Sequence, residues 1–158
     1  MIKKEYLIVQ PEVIAGIGEN TTGNNLGSQD QITNLHIEME DWLGDDLMEC
    51  FPCYIVTEKF KKIFNEKKIS GYIFDDLEIT FGEYFEDNFQ LEVDLPKFYW
   101  LKITGIKNDS DVFIDEKLKL NVSNQFLDIL KKEVSIKHLE INPQKTDTDD
   151  FLANLFKK

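Results

Sequence analysis

One pattern is written twice in this chain, from Val56 and again from Val122, and it constrains the fold more than any other feature. The first copy reads Val-Thr-Glu-Lys-Phe-Lys-Lys-Ile-Phe and the second Val-Ser-Asn-Gln-Phe-Leu-Asp-Ile-Leu. Val56 matches Val122, Thr57 matches Ser123, Phe60 matches Phe126, and Ile63-Phe64 matches Ile129-Leu130. With one inserted residue, Ile69 then matches Ile136. Each copy follows a short apolar run, Cys53–Val56 or Leu118–Val122, which predicts a strand. Thr57 and Ser123 stand where a hydroxyl accepts a hydrogen bond from the free N–H groups of a helix's first turn. Phe60, Ile63 and Phe64, like Phe126, Ile129 and Leu130, fall at i, i+3, i+4 and share one helix face. Lys67-Lys68 and Lys131-Lys132 fall in the last turns, where cations complement the helix dipole. The unit is therefore a strand, a capped amphipathic helix and a returning strand. Its apolar stripes read as packing surface rather than chemistry.

A chain of 158 residues with a 42% apolar share is long enough for one domain with a real core. It contains no apolar run long enough to span a bilayer. The start, Met-Ile-Lys-Lys-Glu-Tyr-Leu-Ile-Val-Gln, has too short an apolar stretch for a signal peptide and reads as an opening strand. Two cysteines and no export signal point to the cytoplasm and reduced thiols.

Net charge is −12, from 30 acids and 18 bases, and every base is lysine. Arginine is the usual residue for bidentate phosphate recognition. Its absence, with the negative charge, argues against nucleic-acid binding, phosphoryl chemistry and anionic membranes. The imbalance lies wholly in residues 1–114. Ile37–Cys50 holds Glu38, Glu40, Asp41, Asp45, Asp46 and Glu49 with no base, and Asp75–Asp94 is likewise base-free. Such a field favours a cationic partner.

Strands are expected at Lys4–Gln10, Ile32–Met39, Cys53–Val56, Tyr72–Phe74, Leu77–Glu83 and Phe98–Ile106, a strand or a short turn at Val112–Ile114, and helices at Thr57–Lys68 and in the second repeat. Gly16–Ser28 reads as a loop, Trp42–Leu47 and Glu86–Asn88 as turns, and Phe151–Phe156 as a final short helix. The fold class is α+β: a single domain over 1–158 with a mixed sheet and two strand–helix–strand units near 53–75 and 118–141.

Few residues offer chemistry. Cys50-Phe-Pro-Cys53 has redox-motif spacing, but the second cysteine leads into a strand, whereas a reactive thiolate sits at a helix N-terminus. As a zinc half-site it lacks a second pair of ligands, and His36 and His138 are far apart in sequence. Gly16-Ile-Gly18 with Gly23 lacks the spacing of a dinucleotide loop and the lysine of a phosphate loop. No catalytic residue, cofactor or metal is expected, and the chain is read as a non-enzyme.

The run Val56-Thr-Glu-Lys-Phe-Lys-Lys-Ile-Phe through Ile69-Ser-Gly-Tyr-Ile-Phe resembles a unit of some immunity proteins of bacterial polymorphic toxin and contact-dependent inhibition systems. Asp111-Val-Phe-Ile-Asp-Glu-Lys-Leu-Lys-Leu-Asn-Val-Ser-Asn-Gln-Phe is similar to the later part of that pattern, although Lys137-His138 replace the glycine. The resemblance spans roughly Cys53–Ile141. It implies neutralisation of a cognate toxin by binding, over its active site or substrate groove. The expected partner is a basic toxin domain, a nuclease among the candidates. The alternative is an acidic adaptor for a basic partner other than a toxin. The acid-rich runs and their aromatics supply the expected toxin-binding residues: Asp41, Trp42, Asp45, Asp46, Glu83, Tyr84, Glu86 and Asp87.

Overall fold

The computed structural model describes residues 5–83 and 95–141, and within them the chain is a single α+β domain. The turn expected at Glu86–Asn88 and the helix expected at Phe151–Phe156 lie outside the described residues.

The strands are β1 (Tyr6–Gln10), β2 (Glu12–Val13), β3 (Ala15–Ile17), β4 (Thr22–Gly23), β5 (Ile32–Asn34), β6 (His36–Met39), β7 (Leu47–Cys50) and β8 (Cys53–Thr57). They continue as β9 (Tyr72–Asp75), β10 (Glu78–Phe81), β11 (Phe98–Ile103), β12 (Val112–Ile114), β13 (Leu120–Ser123) and β14 (Glu140–Ile141). The helices are α1 (Glu58–Asn65) and α2 (Asn124–Glu133). Both begin as the sequence predicts: the Phe60 N–H donates to Thr57 Oγ1 at 3.3 Å and the Phe126 N–H to Ser123 Oγ at 3.1 Å.

The repeat goes deeper than its helices. In one sheet the order is β7-β8-β11-β9, with β2 at the edge beyond β7; in the other it is β12-β13-β1-β14. Each set has an antiparallel hairpin, a helix, and a return strand, with a third strand antiparallel between the two that flank the helix. The registers agree: Tyr99 faces Val56 as Leu7 faces Val122, and Leu101 faces Tyr54 as Val9 faces Leu120. Yet β1 precedes the first unit and lies in the sheet of the second, while β11 precedes the second unit and lies in the sheet of the first. The two repeats have exchanged their central strands, so neither sheet is complete without the other's chain segment.

A pair of aspartates fixes the exchange. Thr57 Oγ1 donates to Asp46 Oδ1 at 2.7 Å, and Ser123 Oγ donates to Asp111 Oδ1 at 2.9 Å. The second carboxylate oxygen reaches into the other repeat: Ser135 N–H donates to Asp46 Oδ2 at 2.7 Å, and Ser70 N–H to Asp111 Oδ2 at 3.0 Å. The backbones follow the same scheme, with Asp46 N–H donating to the Ser135 carbonyl and Asp111 N–H to the Ser70 carbonyl. Ser70 therefore matches Ser135, and Ile69 aligns with Val134 rather than with Ile136. Gly71, at φ +109°, lies where an added Cβ would come within 2.3 Å of the Val112 carbonyl oxygen.

Two cores result. Phe60, Phe64, Phe126 and Leu130 from the helices meet Tyr54, Val56, Leu101, Leu120 and Val122 on one side of the five-stranded sheet. Cys53, Ile55, Phe98 and Trp100 point to its opposite side, where Ile14, Ile37 and Met39 cover them. Ile37 and Met39 belong to a three-stranded sheet, β10-β6-β3, which among the described residues has no counterpart in the second repeat; Ile14 lies between β2 and β3. That sheet comes chiefly from the segment between β1 and β7. Strands β3 and β4 occupy part of Gly16–Ser28, where the glycines and polar residues predict a loop. Leu47, the last residue of the turn expected over Trp42–Leu47, opens strand β7.

Candidate functional site

Two places outside the repeated scaffold gather polar chemistry. The first is the outer face of the three-stranded sheet. Strand alternation turns Ile37 and Met39 into the core and His36, Glu38 and Glu40 outward. In the parallel pairing of β10 with β6, Glu78 lies beside His36 and Thr80 beside Glu38. On the other side Gly16 pairs with Glu38. Glu38, Glu40 and Glu78 are exposed, and no lysine stands on any of the three strands. Glu83, just beyond β10, is also exposed.

His36 is the buried centre of this face. Its Nδ1 accepts the Asn20 N–H at 3.1 Å, which leaves the ring proton on Nε2 to donate to Thr80 Oγ1 at 2.8 Å. A Cβ on Gly18 would fall 2.1 Å from the ring, so the glycine makes room for it. Asn20 also donates through its side chain to the Glu78 carboxylate. His36 therefore orders the loop that frames the acidic face, and both its nitrogens are engaged.

The second place lies at the junction of insertion and repeats. Asp45 Oδ1 is 3.0 Å from His138 Nδ1, and Asp45 Oδ2 accepts the His138 N–H at 2.9 Å. Glu12 Oε2 is 3.7 Å from the same Nδ1. That oxygen is buried and makes no hydrogen bond. Burial raises the Glu12 carboxyl above its ordinary value; His138 opposes this, and Asp45 and Asp41 add to it. The hydrogen bond to Asp45 raises the His138 imidazole, against a smaller desolvation effect. Glu12 and His138 border a cleft of about 320 Å³ lined also by Gln10, Pro11, Val13 and Glu140.

The predicted binding residues separate under this geometry. Asp45 and Asp46 are not the surface charges expected of them, being 1% and 6% exposed. Asp46 is the interlock of the two repeats and Asp45 the partner of His138, so neither carboxylate is free to meet a toxin. Trp42 is half-buried: its Nε1–H donates to the Asp45 carbonyl at 2.9 Å and its ring stands edge-on to Phe98, 5.6 Å between centroids. That fixes the loop and leaves only part of the ring outside. Asp41 is half-buried beside the Trp42 amide, and Glu83 is exposed. Tyr84, Glu86 and Asp87 lie outside the described residues.

Cys50 and Cys53 face each other across β7 and β8 with no exposure, and both thiols are free. Burial pushes each up to about 12, so neither is poised as a thiolate. Glu38, Glu40 and Glu78 fall within the two acid-rich runs expected to bind, but the chain alone does not show that Glu40 is outward and Asp45 buried. Glu12 and His138 are connected by no local spacing.

Among the described residues no helix is long and apolar enough to cross a membrane. Comparison with protein-family models, with curated proteins and with solved structures returned no match.

Proposed function

We propose that this chain is a cytoplasmic immunity protein whose base-free sheet face binds and neutralises a basic bacterial toxin. The supporting observation is the outward row of Glu38 and Glu78, continued by Glu40 just past β6, on strands that carry no lysine and form a sheet outside the repeated scaffold. Lysines instead occupy the helices, at Lys59, Lys61 and Lys62 on α1 and Lys131 and Lys132 on α2. Two of these lysines are paired with acids of their own helices, Lys62 with Glu58 and Lys132 with Asp128, whereas no lysine stands on the strands of the three-stranded sheet. A nuclease groove is basic because its substrate is a polyanion. Glutamates on a strand mimic that charge, steer the encounter and cover the groove, and steering raises association rate above all. The strands are held by a packed core, so the charges are presented with little loss of freedom on binding.

The test uses the neighbouring gene. Co-expression of this chain with the product of the adjacent open reading frame should rescue growth and yield a stable complex on affinity capture. Capture without rescue, by a partner that is not toxic, would select the adaptor reading instead. Neither capture nor rescue would remove the proposal.

A further inference from the structure

We infer that Glu12, Asp45 and His138 form a binding site for one divalent first-row transition ion, at the junction between the acidic insertion and the second repeat. The three donor atoms, one imidazole nitrogen and two carboxylate oxygens, lie within 4.8 Å of one another. A metal with bonds of about 2.0–2.2 Å holds its donors about 3.4 Å apart. His138 Nδ1 is 3.0 Å from the Asp45 oxygen and 3.7 Å from the Glu12 oxygen, so small side-chain adjustments complete the geometry. Asp45 is held in place by the His138 N–H on its other oxygen. Glu12 Oε2 is buried without a hydrogen bond, and His138 Nδ1 stands 3.7 Å away, so a cation held between the two would satisfy it.

The repeat gives an independent reason. The second copy of the junction is built without these groups. Asp46 and Asp111 interlock both halves in the same way, but the residue before Asp111 is Ser110, where the first half has Asp45. His138 belongs to a linker longer than its counterpart: Ser135 to Ile141 spans two residues more than Ser70 to Phe74, the pairs that register fixes. Glu12 belongs to β2, which among the described residues has no equivalent beside β12. The scaffold therefore closes without the cluster at one end and carries it at the other. Charge points the same way, since Asp41 adds a third carboxylate to the field around Glu12 and one imidazolium cannot balance all three.

One nitrogen and two oxygens suit Zn²⁺, Mn²⁺ or Co²⁺ better than a soft ion. Three protein ligands leave at least one position for water. Binding displaces the proton from His138 Nδ1, so affinity rises with pH.

The full-length chain titrated with ZnCl₂ should bind one ion by calorimetry. In the wild-type chain the His138 imidazole resonances should move and those of His36, the only other histidine, should not. Glu12→Gln and His138→Gln should each weaken binding at least tenfold, the scale lost even with an outer partner of a metal ligand. Cys50→Ser/Cys53→Ser and Glu38→Gln/Glu40→Gln should bind Zn²⁺ as the wild type does. Absence of binding overturns the inference. So does binding that leaves the His138 resonances in place, or that moves with the cysteines or with the exposed glutamates.

Discussion

Carboxylates do opposite work in the two regions of this molecule. In the repeated scaffold Asp46 and Asp111 are buried, and each joins its own helix cap to the other repeat's linker. In the unrepeated sheet Glu38 and Glu78, with Glu40 just past β6, are exposed, and the strands carry no lysine. The first arrangement is symmetric and self-satisfied, which is what a folding requirement produces. The second is one-sided and leaves charge unmatched, which a fold does not need and a partner can use. Repetition here separates what holds the chain together from what it is free to present.

The largest effect should come from the interlock. Asp46→Ala and Asp111→Ala each remove a buried carboxylate with a cap hydroxyl and a linker N–H as donors. Each should cost about 3 kcal/mol in denaturant unfolding, because charged hydrogen bonds are lost and buried donors are orphaned. Similar losses in the two variants would show equivalent roles; a large loss in only one would break the symmetry.

Next in size is the acidic face. Reversing Glu38, Glu40 and Glu78 together to lysine should slow association with the toxin about tenfold at low salt, with little change in melting temperature. The same association rate in the triple variant, measured by stopped flow, would separate the binding role from this sheet.

The cap hydroxyls should matter less. Thr57→Ala and Ser123→Ala should each lower stability by about 1 kcal/mol. Their effects should shrink in the corresponding Asp46→Ala or Asp111→Ala background, since hydroxyl and carboxylate are bonded partners.

The smallest effect is a pH dependence at the junction. His138 is raised by its bond to Asp45, so its contribution is fully present below the ordinary histidine value of about 6.5. It fades as pH rises through the higher folded value. The melting-temperature gap between wild type and His138→Gln should be widest on the acidic side and close in alkali. Glu12 carries the other half of the sign: its ionised form is disfavoured by burial, so Glu12→Gln should be neutral or slightly stabilising near pH 7 in the absence of metal. A gap that widens with pH would contradict the His138–Asp45 geometry.

Much of the scaffold was legible in the chain because its signals are local. A hydroxyl at Thr57 or Ser123, with apolar residues three, six and seven positions on, reports a capped helix whatever surrounds it. The exchange of β1 and β11 was not legible, because no short-range pattern says which repeat a strand will join. The interlock had a trace: Asp46 and Asp111 each precede an apolar run leading to the cap, so extending the repeat toward the N-terminus would have paired them. Asp45 and Asp46 stand in one acidic run with Glu38 and Glu40, and only tertiary contacts separate buried from exposed. The short strands β2, β3 and β4 escaped because they are two or three residues long and rich in glycine and polar residues.

The most direct test is hydrogen exchange of the chain, free and bound to its proposed partner, the product of the adjacent open reading frame. Binding through the unrepeated sheet predicts slowed exchange in β3, β6 and β10 and in the Gly18–Asn20 loop framed by His36, with α1 and α2 unchanged. Protection confined to the lysine-bearing helices, with the three-stranded sheet exchanging as in the free chain, would contradict it.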